Sequence, residues 1–340
     1  IKAMALHSGL SREEIDIGLN NAIYGNYKFL YVSPERLTTD IFRIRLPQMN
    51  LSLVTVDEAH CISQWGYDFR PSYLKIADLR EHVPDIPFLA ITATATGRVI
   101  EDIQEKLKFR EKNVLKASFH RENLVYTVKQ VEDKERYLMD LLHQMDGSGI
   151  VYARSRKKTR DLANYLRQEK ISCDYYHAGL HQDSRSRKQS EWMTGHTRVI
   201  IATNAFGMGI DKSNIRFVVH MSLPKTIENY YQEIGRAGRD GLDSEVLLLY
   251  SGSDMMMQRE FIEQLDESPY KQNAYDKLEL MMRYASAEKC RHQFIADYFE
   301  DELDSCESRC DNCTSPSVEK TDITIDAQKF LSCIYRTGQR

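Results

Sequence analysis

Two adjacent carboxylates, Asp57 and Glu58, follow a short apolar run and are the residues of this sequence best suited to metal-assisted chemistry. The run, residues 53–56, predicts a strand buried on both faces, and ligands of open α/β sheets bind at the carboxyl ends of such strands. A carboxylate at that edge can hold Mg²⁺, and a second one beside it can polarise an attacking water. The two acids therefore predict a metal and proton-transfer site, with the capping of a following helix as the alternative.

A second group of residues with phosphate-binding character lies later in the chain. Gly207 and Gly209, one residue apart after an apolar run, would let the backbone approach a phosphate closely. Arg236 and Arg239 follow among small residues, and their spacing of three predicts that they share a helical face. Such a pair suits a γ-phosphate reached across a cleft between two domains. Surface salt bridges are the alternative for either arginine alone.

Four of the seven cysteines cluster towards the carboxyl end of the sequence. Cys290 falls on a predicted helix, and the others follow after fifteen, three and two intervening residues, at Cys306, Cys310 and Cys313. Four thiolates at this spacing predict a tetrahedral Zn²⁺ site without an open position, which is a structural site. The alternative, buried unpaired thiols, fits the remaining cysteines better: Cys61, Cys173 and Cys333.

Short apolar strands alternate with amphipathic helical stretches around these residues, and this alternation predicts parallel sheets with crossover helices. A polar segment at residues 116–123 interrupts the pattern, which then resumes as a second α/β domain. From residue 254 onward helical periodicity replaces it. The predicted strands are residues 29–33, 51–56, 88–92, 149–153, 172–176, 198–203, 217–221 and 245–250, and a helix is predicted at 157–169.

Composition describes an ordinary globular chain of 340 residues with 42% hydrophobic and 28% charged content, long enough for two or three domains. The formal net charge of −4 excludes a uniformly basic coat, so contacts with nucleic acid would come from local patches at 154–160 and 185–188. Solvated helix faces are the alternative for both patches. No apolar stretch reaches membrane-spanning length, and the cysteine usage is typical of a reducing compartment, so we expect a cytoplasmic protein without a membrane partner.

Aromatic residues alternate with polar ones directly after the two acids. Trp65, Tyr67 and Phe69 lie in a stretch too polar and too glycine-rich for a core strand, which predicts a loop. Aromatic side chains on a loop can stack on unpaired bases, at roughly 1 to 3 kcal/mol per base, and Arg70 can reach a phosphate or a ring. Packing of these rings between two domains is the alternative.

Together these stretches resemble the RecQ family of superfamily 2 DNA helicases, and the resemblance covers essentially the whole chain. The tetrad Asp57-Glu58-Ala59-His60 runs into residues 61–71, which are similar to the aromatic-rich loop of that family. Further family motifs are matched by residues 92–96, 176–180, 202–212 and 232–241. The sequence departs from the family at three positions near the predicted domain junction or in the second domain: His120, Glu122 and Ala153.

The resemblance implies two RecA-like parallel-sheet motor domains, the first incomplete (1–117) and the second at 118–253, then a helical zinc-binding domain (254–318) and the start of a winged helix (319–340). It implies ATP-dependent 3′ to 5′ unwinding in recombination and repair, with ATP, Mg²⁺, structural Zn²⁺ and single-stranded or partly duplex DNA as partners. It suggests catalytic roles for Asp57, Glu58, His60, Arg236 and Arg239, nucleotide contacts for Gln232, Gly209 and Asp211, DNA contacts for Trp65, Phe69, Arg70, Thr94 and Thr203, and zinc binding by Cys290, Cys306, Cys310 and Cys313.

None of the sixteen glycines is followed by Lys, so the sequence contains no G-x-x-x-x-G-K-[ST] loop. The resemblance places that loop upstream of Ile1, and we therefore expect a fragment that begins inside the first motor domain and cannot hydrolyse ATP alone. The alternative is a non-catalytic DNA-binding or regulatory protein that has lost the loop.

Overall fold

The computed structural model describes residues 1–7, 9–66, 68–207, 209–315 and 324–336, without the side chain of Pro269. Tyr67, one of the aromatics predicted to stack on bases, lies outside the described residues. The strands are β1 (Ala3–Leu6), β2 (Phe29–Val32), β3 (Val54–Val56), β4 (Phe88–Ala90), β5 (Leu124–Gln130), β6 (Ser148–Tyr152), β7 (Cys173–Tyr176), β8 (Val199–Ala202), β9 (Ile215–His220) and β10 (Ser244–Tyr250).

Helices connect and follow these strands. They are α1 (Arg12–Tyr24), α2 (Asp40–Arg45), α3 (Leu79–His82), α4 (Gly97–Lys106), α5 (Lys134–Gln144), α6 (Arg156–Gln168), α7 (Gln182–Met193), α8 (Ile227–Ile234), α9 (Gly252–Glu263), α10 (Pro269–Ser286), α11 (Arg291–Tyr298), α12 (Asp311–Thr314) and α13 (Thr324–Arg336). Four 3₁₀ helices occupy Pro34–Thr38, Leu46–Gln48, Ala59–Ile62 and Pro71–Asp78. None of the described helices combines the length and the apolar character that crossing a bilayer requires.

The N-terminal unit, which we define as the elements from β1 to α4, holds two parallel strand pairs. Strand β1 pairs with β2, and β3 pairs with β4. Helix α1 begins with a capping box in which Ser11 and Glu14 satisfy each other's backbone N–H groups. The helices bury Leu19 and Ile103 against the apolar core of this unit, where Ile62 and Leu107 are also fully enclosed. This core fixes the strand ends from which Asp57 and Glu58 project.

The prediction that β3 is buried on both faces is wrong. Val56 is buried, but Leu53 just before the strand is 48% exposed, and Leu89 on the neighbouring strand is 47% exposed. Among the described residues β3 pairs with β4 alone, and the core of the unit covers one face of this pair. The apolar run therefore marks a strand whose second face is open.

The central sheet unit, β5 to β10, is a six-stranded parallel sheet in the order β5-β10-β9-β6-β8-β7. In this sheet, unlike the pair β3 and β4, strands β6 and β8 are buried on both faces. Along β6 and β8, Ile150 and Ile200 face one apolar core, whereas Val151 and Ile201 face the other, and all four are fully enclosed. Continuous apolar strands of this kind are typical of parallel sheets covered by helices on both sides, and the predicted α/β class is confirmed.

Edge strand β5 was not predicted from the sequence, because Lys129 and Gln130 end it and only alternate residues are buried. Its free side is covered by the cysteine-rich segment. The Tyr126 N–H donates to the carbonyl of Arg309 at 3.0 Å, and the Val128 N–H donates to a carboxylate oxygen of Asp311 at 3.0 Å. The cysteine-rich segment thus supplies the hydrogen-bond partners that an edge strand lacks.

The cysteine-cluster unit, α9 to α12, is helical, as predicted. Cys290 is the N-cap residue of α11 rather than a residue within a helix. The predicted winged helix falls partly on residues 316–323 and 337–340, which lie outside the described residues; the part between them forms α13, which buries no side chain. The domain limits at 117/118, 253/254 and 318/319 stay predictions.

Candidate functional site

Asp57 and Glu58 follow β3 directly and begin the site. Glu58 has a left-handed backbone conformation, with φ of 50°, and its N–H donates to Asp57 Oδ1 at 2.8 Å. The 3₁₀ helix Ala59–Ile62 follows, but no side-chain hydrogen bond from its N-cap residue Glu58 caps it. Capping of a helix, the alternative explanation of this acid, is therefore not what the Glu58 carboxylate does. A non-glycine residue held in this sparsely populated conformation is typical of functional sites.

His60 is buried beneath Glu58 and bonded to the next strand end. Its Nδ1 lies 2.9 Å from Thr92 Oγ1 and 3.4 Å from Glu58 Oε2. Burial lowers the pKa of His60 to about 4, so the imidazole is neutral near pH 7. Burial, followed by the charge of Asp57, raises the pKa of Glu58. A carboxylate with a raised pKa beside a neutral imidazole is suited to taking up and releasing a proton.

A cleft of about 1290 Å³ separates the N-terminal unit from the central sheet unit and is lined by both. Gln232 crosses it: its Nε2 donates to Glu58 Oε1 at 3.2 Å. Gly209, Asp211 and Arg239 line the opposite wall. Glu58 and Gln232, which lie 174 positions apart in the sequence, thus meet at the cleft, as the motifs predict.

Arg236 and Arg239 do not share a helix, so that part of the prediction is wrong. Helix α8 ends at Ile234, and the turns beyond it include Gly238 with φ of 58°. Both side chains nevertheless converge on residues 207–211. Arg236 is buried and donates to the Gly207 carbonyl, while Arg239 Nη1 lies 3.1 Å from both Ile210 O and Asp211 Oδ1.

Gly207 is required at its position. Its φ is +140°, and a Cβ placed there would lie 2.3 Å from the guanidinium carbon of Arg236. The glycine therefore makes room for the arginine rather than for a ligand in this arrangement. Gly209, with φ of +73°, has open space where a side chain would project, and it faces the cleft.

The aromatic loop, residues 61–71, is folded against the N-terminal unit in its described part, 61–66 and 68–71. Trp65 is half-buried and packs on the core of that unit, and the Arg98 guanidinium lies 3.2 Å from the centre of its ring. Phe69 is half-buried, and so is Arg70, whose Nε donates to Asp68 at 3.0 Å. Trp65 thus packs within the N-terminal unit rather than between two domains, which was the alternative, and base stacking by the loop stays a prediction.

The two threonines predicted to contact DNA differ in access. Thr94 is 2% exposed, and its hydroxyl is enclosed without a hydrogen-bond partner among the described residues. Thr203 is half-buried at the end of β8, where its N–H donates to the Tyr176 carbonyl at 3.3 Å. In this arrangement Thr203 is the more accessible of the two.

The four predicted zinc ligands meet in space. The sulfur atoms of Cys290, Cys306, Cys310 and Cys313 all lie within 4.8 Å of one another. Backbone N–H groups point at two of them, from Arg291 to Cys310 Sγ at 3.5 Å and from Cys306 to Cys290 Sγ at 3.3 Å. Four convergent sulfurs, three of them buried, fit a closed tetrahedral Zn²⁺ site.

Two sets of contacts near the cleft were not predicted. Lys277 Nζ donates to the Trp65 carbonyl at 2.8 Å and to Glu228 Oε1 at 2.9 Å. Phe119 stacks on Phe299, with ring centres 4.2 Å apart. These partners are 49 to more than 200 residues apart in sequence, and no local pattern marks them.

The segment around Phe119 is held by several groups. Its N–H donates to Asp301 Oδ2 at 2.8 Å, and its carbonyl accepts from the Tyr231 hydroxyl at 3.0 Å. The Tyr231 ring also packs on Phe119 and Phe299, with centres 5.4 and 5.3 Å away. The cysteine-cluster unit and α8 therefore fix the carboxyl-terminal end of the connection between the N-terminal and central units.

Three family models match successive parts of the chain. The DEAD/DEAH box helicase model matches residues 2–103, the helicase conserved C-terminal domain model matches residues 133–241, and the RecQ zinc-binding model matches residues 252–314. The last of these contains all four clustered cysteines. The order of the models follows the order of the three units described above.

Solved helicase structures share this fold. Dbp5 from S. cerevisiae, in a structure bound to RNA and ADP BeF3, has a TM-score of 0.57 at 18% identity and covers 98% of this chain and 73% of its own. The Mycobacterium smegmatis helicase Lhr, bound to ssDNA and AMP-PNP, has a TM-score of 0.57 at 16% identity, covering 85% of this chain and 45% of its own. At these identities the likeness shows the fold alone, and it confirms the predicted RecA-like helicase architecture.

Relatives at higher identity align over the full length of the chain. It is 43% identical to an ATP-dependent DNA helicase RecQ from Bacillus subtilis, covering 100% of this chain and 58% of the relative. It is 39% identical to the protein of the same name from Haemophilus influenzae, covering 100% and 55%. The chain thus spans about half the length of these relatives. With the helicase and zinc-binding models and these full-chain alignments in agreement, the chain belongs to the RecQ family of helicases.

Proposed function

We propose that the protein containing this chain is an ATP-dependent DNA helicase that moves 3′ to 5′ on single-stranded DNA and acts in recombination and repair. The observation that carries the proposal is the hydrogen bond from Gln232 to Glu58 across a cleft lined by both α/β units. Glu58 from one unit and Arg236 and Arg239 from the other line the same cleft, an arrangement that suits phosphoryl transfer driven by closure of the cleft. Relatives named ATP-dependent DNA helicase support the substrate class.

Each cleft residue has a role that its environment supports. Asp57 would hold Mg²⁺, which supplies charge neutralisation to the phosphates of ATP when bound. Glu58 would orient and deprotonate the attacking water, and the neutral His60 keeps its carboxylate in place. When ATP binds, Arg236 would exchange its hydrogen bond to the Gly207 carbonyl for one to the γ-phosphate. Arg239 would likewise exchange its contact with Asp211. Exchanging a backbone carbonyl for a phosphate is favourable for a guanidinium, because the new hydrogen bonds are charge-assisted.

The second candidate is a non-catalytic DNA-binding or regulatory protein, and the observation behind it is that these 340 residues contain no G-x-x-x-x-G-K-[ST] loop. The 340-residue chain is expected to hydrolyse ATP negligibly with or without DNA, because backbone amides and a lysine around the β and γ phosphates are needed in addition to Asp57 and Glu58. Phosphate release assays with oligothymidylate test this. Turnover at a rate normal for a helicase would contradict it.

A protein that carries this chain together with the phosphate-binding loop separates the two candidates. The helicase predicts DNA-stimulated ATP turnover and unwinding of a duplex with a 3′ single-stranded tail, but not of one with a 5′ tail. DNA binding without turnover in that longer protein would support the non-catalytic candidate.

In that longer protein, Trp65→Ala and Phe69→Ala are expected to remove most of the DNA stimulation of ATP hydrolysis, while basal hydrolysis survives. The rings would stack on bases, and each stack is worth roughly 1 to 3 kcal/mol. Turnover is measured against DNA concentration, with Phe261→Ala, an exposed ring on α9, as the control. If both loop variants keep normal stimulation but melt at lower temperature, the rings serve only to pack the loop.

A further inference from the structure

The aromatic loop is held from one side by helix α4. Ser63 Oγ donates to Asp102 Oδ2 at 2.6 Å, and Lys106 Nζ lies 3.4 Å from the Ile62 carbonyl. Arg98 covers one face of the Trp65 ring. All of these contacts lie within the N-terminal unit, so they fix the loop to the unit from which it comes.

Lys277 contacts the loop from the other side. Lys277, on α10 of the cysteine-cluster unit, donates to the Trp65 carbonyl at 2.8 Å. Because the acceptor is a backbone oxygen, this bond fixes the position of the loop whatever side chain stands at residue 65. The same ammonium group is paired with Glu228 at 2.9 Å, and the two side chains are only 11% and 4% exposed. Such an enclosed pair is screened little by salt.

Helix α8 connects this contact with the cleft. Glu228 and Gln232 lie four residues apart on α8 and so share one face of the helix. Glu228 binds the lysine that holds the loop, and Gln232 binds Glu58. Displacement of the loop from Lys277 therefore disturbs a side chain on the same helical face as the one that bonds the candidate base.

We propose that Lys277, positioned by Glu228, is a latch that holds the aromatic loop against α10, and that single-stranded DNA must break its bond to the Trp65 carbonyl in order to engage the loop. The proposal rests on the proposed function in one respect, that the loop binds DNA. Lys277 is a positioning residue: it is too enclosed to contact DNA itself. In a variant without this hydrogen bond, DNA binding no longer has to break it, so the apparent affinity for DNA rises.

Tryptophan fluorescence tests the latch without ATP. The sequence has two tryptophans, and Trp192 is fully buried, so iodide quenching reports chiefly on Trp65. Lys277→Met is expected to increase the quenching of Trp65. Lys271→Met is the matched control, since Lys271 lies on the same helix with a side-chain exposure of 9% but pairs with Glu267. Equal quenching in wild type and Lys277→Met would overturn the proposal.

A second variant distinguishes release of the loop from loss of folding. Lys277→Met leaves Glu228 enclosed without its partner, which is costly, whereas Lys277→Met with Glu228→Gln removes both charges. The double variant is expected to keep the wild-type melting temperature more closely and to show the same rise in quenching. Wild-type quenching in a folded double variant would overturn the proposal.

Binding of oligothymidylate, followed by fluorescence anisotropy, is the second measurement. Lys277→Met and the double variant are expected to bind about three to ten times more tightly than wild type, the factor for one hydrogen bond that need not be broken. Unchanged affinity in variants with a released loop would overturn the latch. If no form binds DNA, the proposed function fails, and the quenching result still decides whether Lys277 holds the loop.

Discussion

Glu58→Gln is expected to lower ATP turnover by a factor of about 10² to 10⁴, the usual contribution of a general base. The prediction applies to a protein that carries this chain together with a phosphate-binding loop. Glutamine keeps the size of the side chain, and its carbonyl oxygen can still accept the hydrogen bond from Gln232. It cannot accept a proton from water, so the loss is specific to the chemical step.

Single-turnover hydrolysis and nucleotide binding measured on the same preparation separate chemistry from affinity. Nucleotide binding of Glu58→Gln is expected to equal that of wild type. Glu81→Gln, an exposed acid on α3, is the control for a loss of charge. A Glu58→Gln protein with near-normal turnover would show that another residue activates the water.

Cys310→Ser is expected to abolish zinc binding and to lower the free energy of unfolding by more than about 4 kcal/mol, which is the range reached when a structural metal is lost. The sulfur of Cys310 is enclosed with the three other thiols, and the neighbouring backbone covers edge strand β5 through Arg309 and Asp311. The polar segment around the cysteines offers little apolar area of its own, so the metal must supply the stability.

Metal analysis of the wild type is expected to give one zinc per chain, and analysis of the variant none. Hydrogen exchange should increase at the amides of Tyr126 and Val128, whose acceptors belong to the cysteine-rich segment. Cys333→Ser, which changes an exposed thiol on α13, is the control and should change neither result. A metal-free Cys310→Ser protein with the wild-type melting temperature would contradict the prediction.

Strands β6 to β10 of the central sheet were predictable because most of their residues are apolar and buried, so a run of apolar residues locates each one to within a few positions. Edge strand β5 and strand β1 were missed, since β5 ends in polar residues and β1 contains no β-branched or aromatic residue. The same rule of apolar runs overstated the burial of β3, because a run does not reveal whether a second layer covers the strand.

The meeting of Glu58 and Gln232 at one cleft was predictable from motif positions at strand and helix ends. The orientation of Arg236 and Arg239 was not predictable, because the spacing of the two arginines does not show that helix α8 ends before them, at Ile234. Contacts such as Lys277 with Trp65 depend on how three units pack, and nothing in the neighbouring sequence of either residue indicates the other. The sequence therefore indicated residues that meet at the cleft, but not the contacts between units that hold the aromatic loop.

The stacking of Phe119 on Phe299 and the hydrogen bond from the Phe119 N–H to Asp301 hold one end of the connection between the two α/β units. The cysteine-cluster unit also accepts hydrogen bonds from β5, at the Arg309 carbonyl and the Asp311 side chain, so we expect it to move with the central sheet. Between α4 and this anchor, residues 111–117 are exposed and have no regular structure. We expect these residues to act as a hinge, so that the cleft opens by rotation of the N-terminal unit about them.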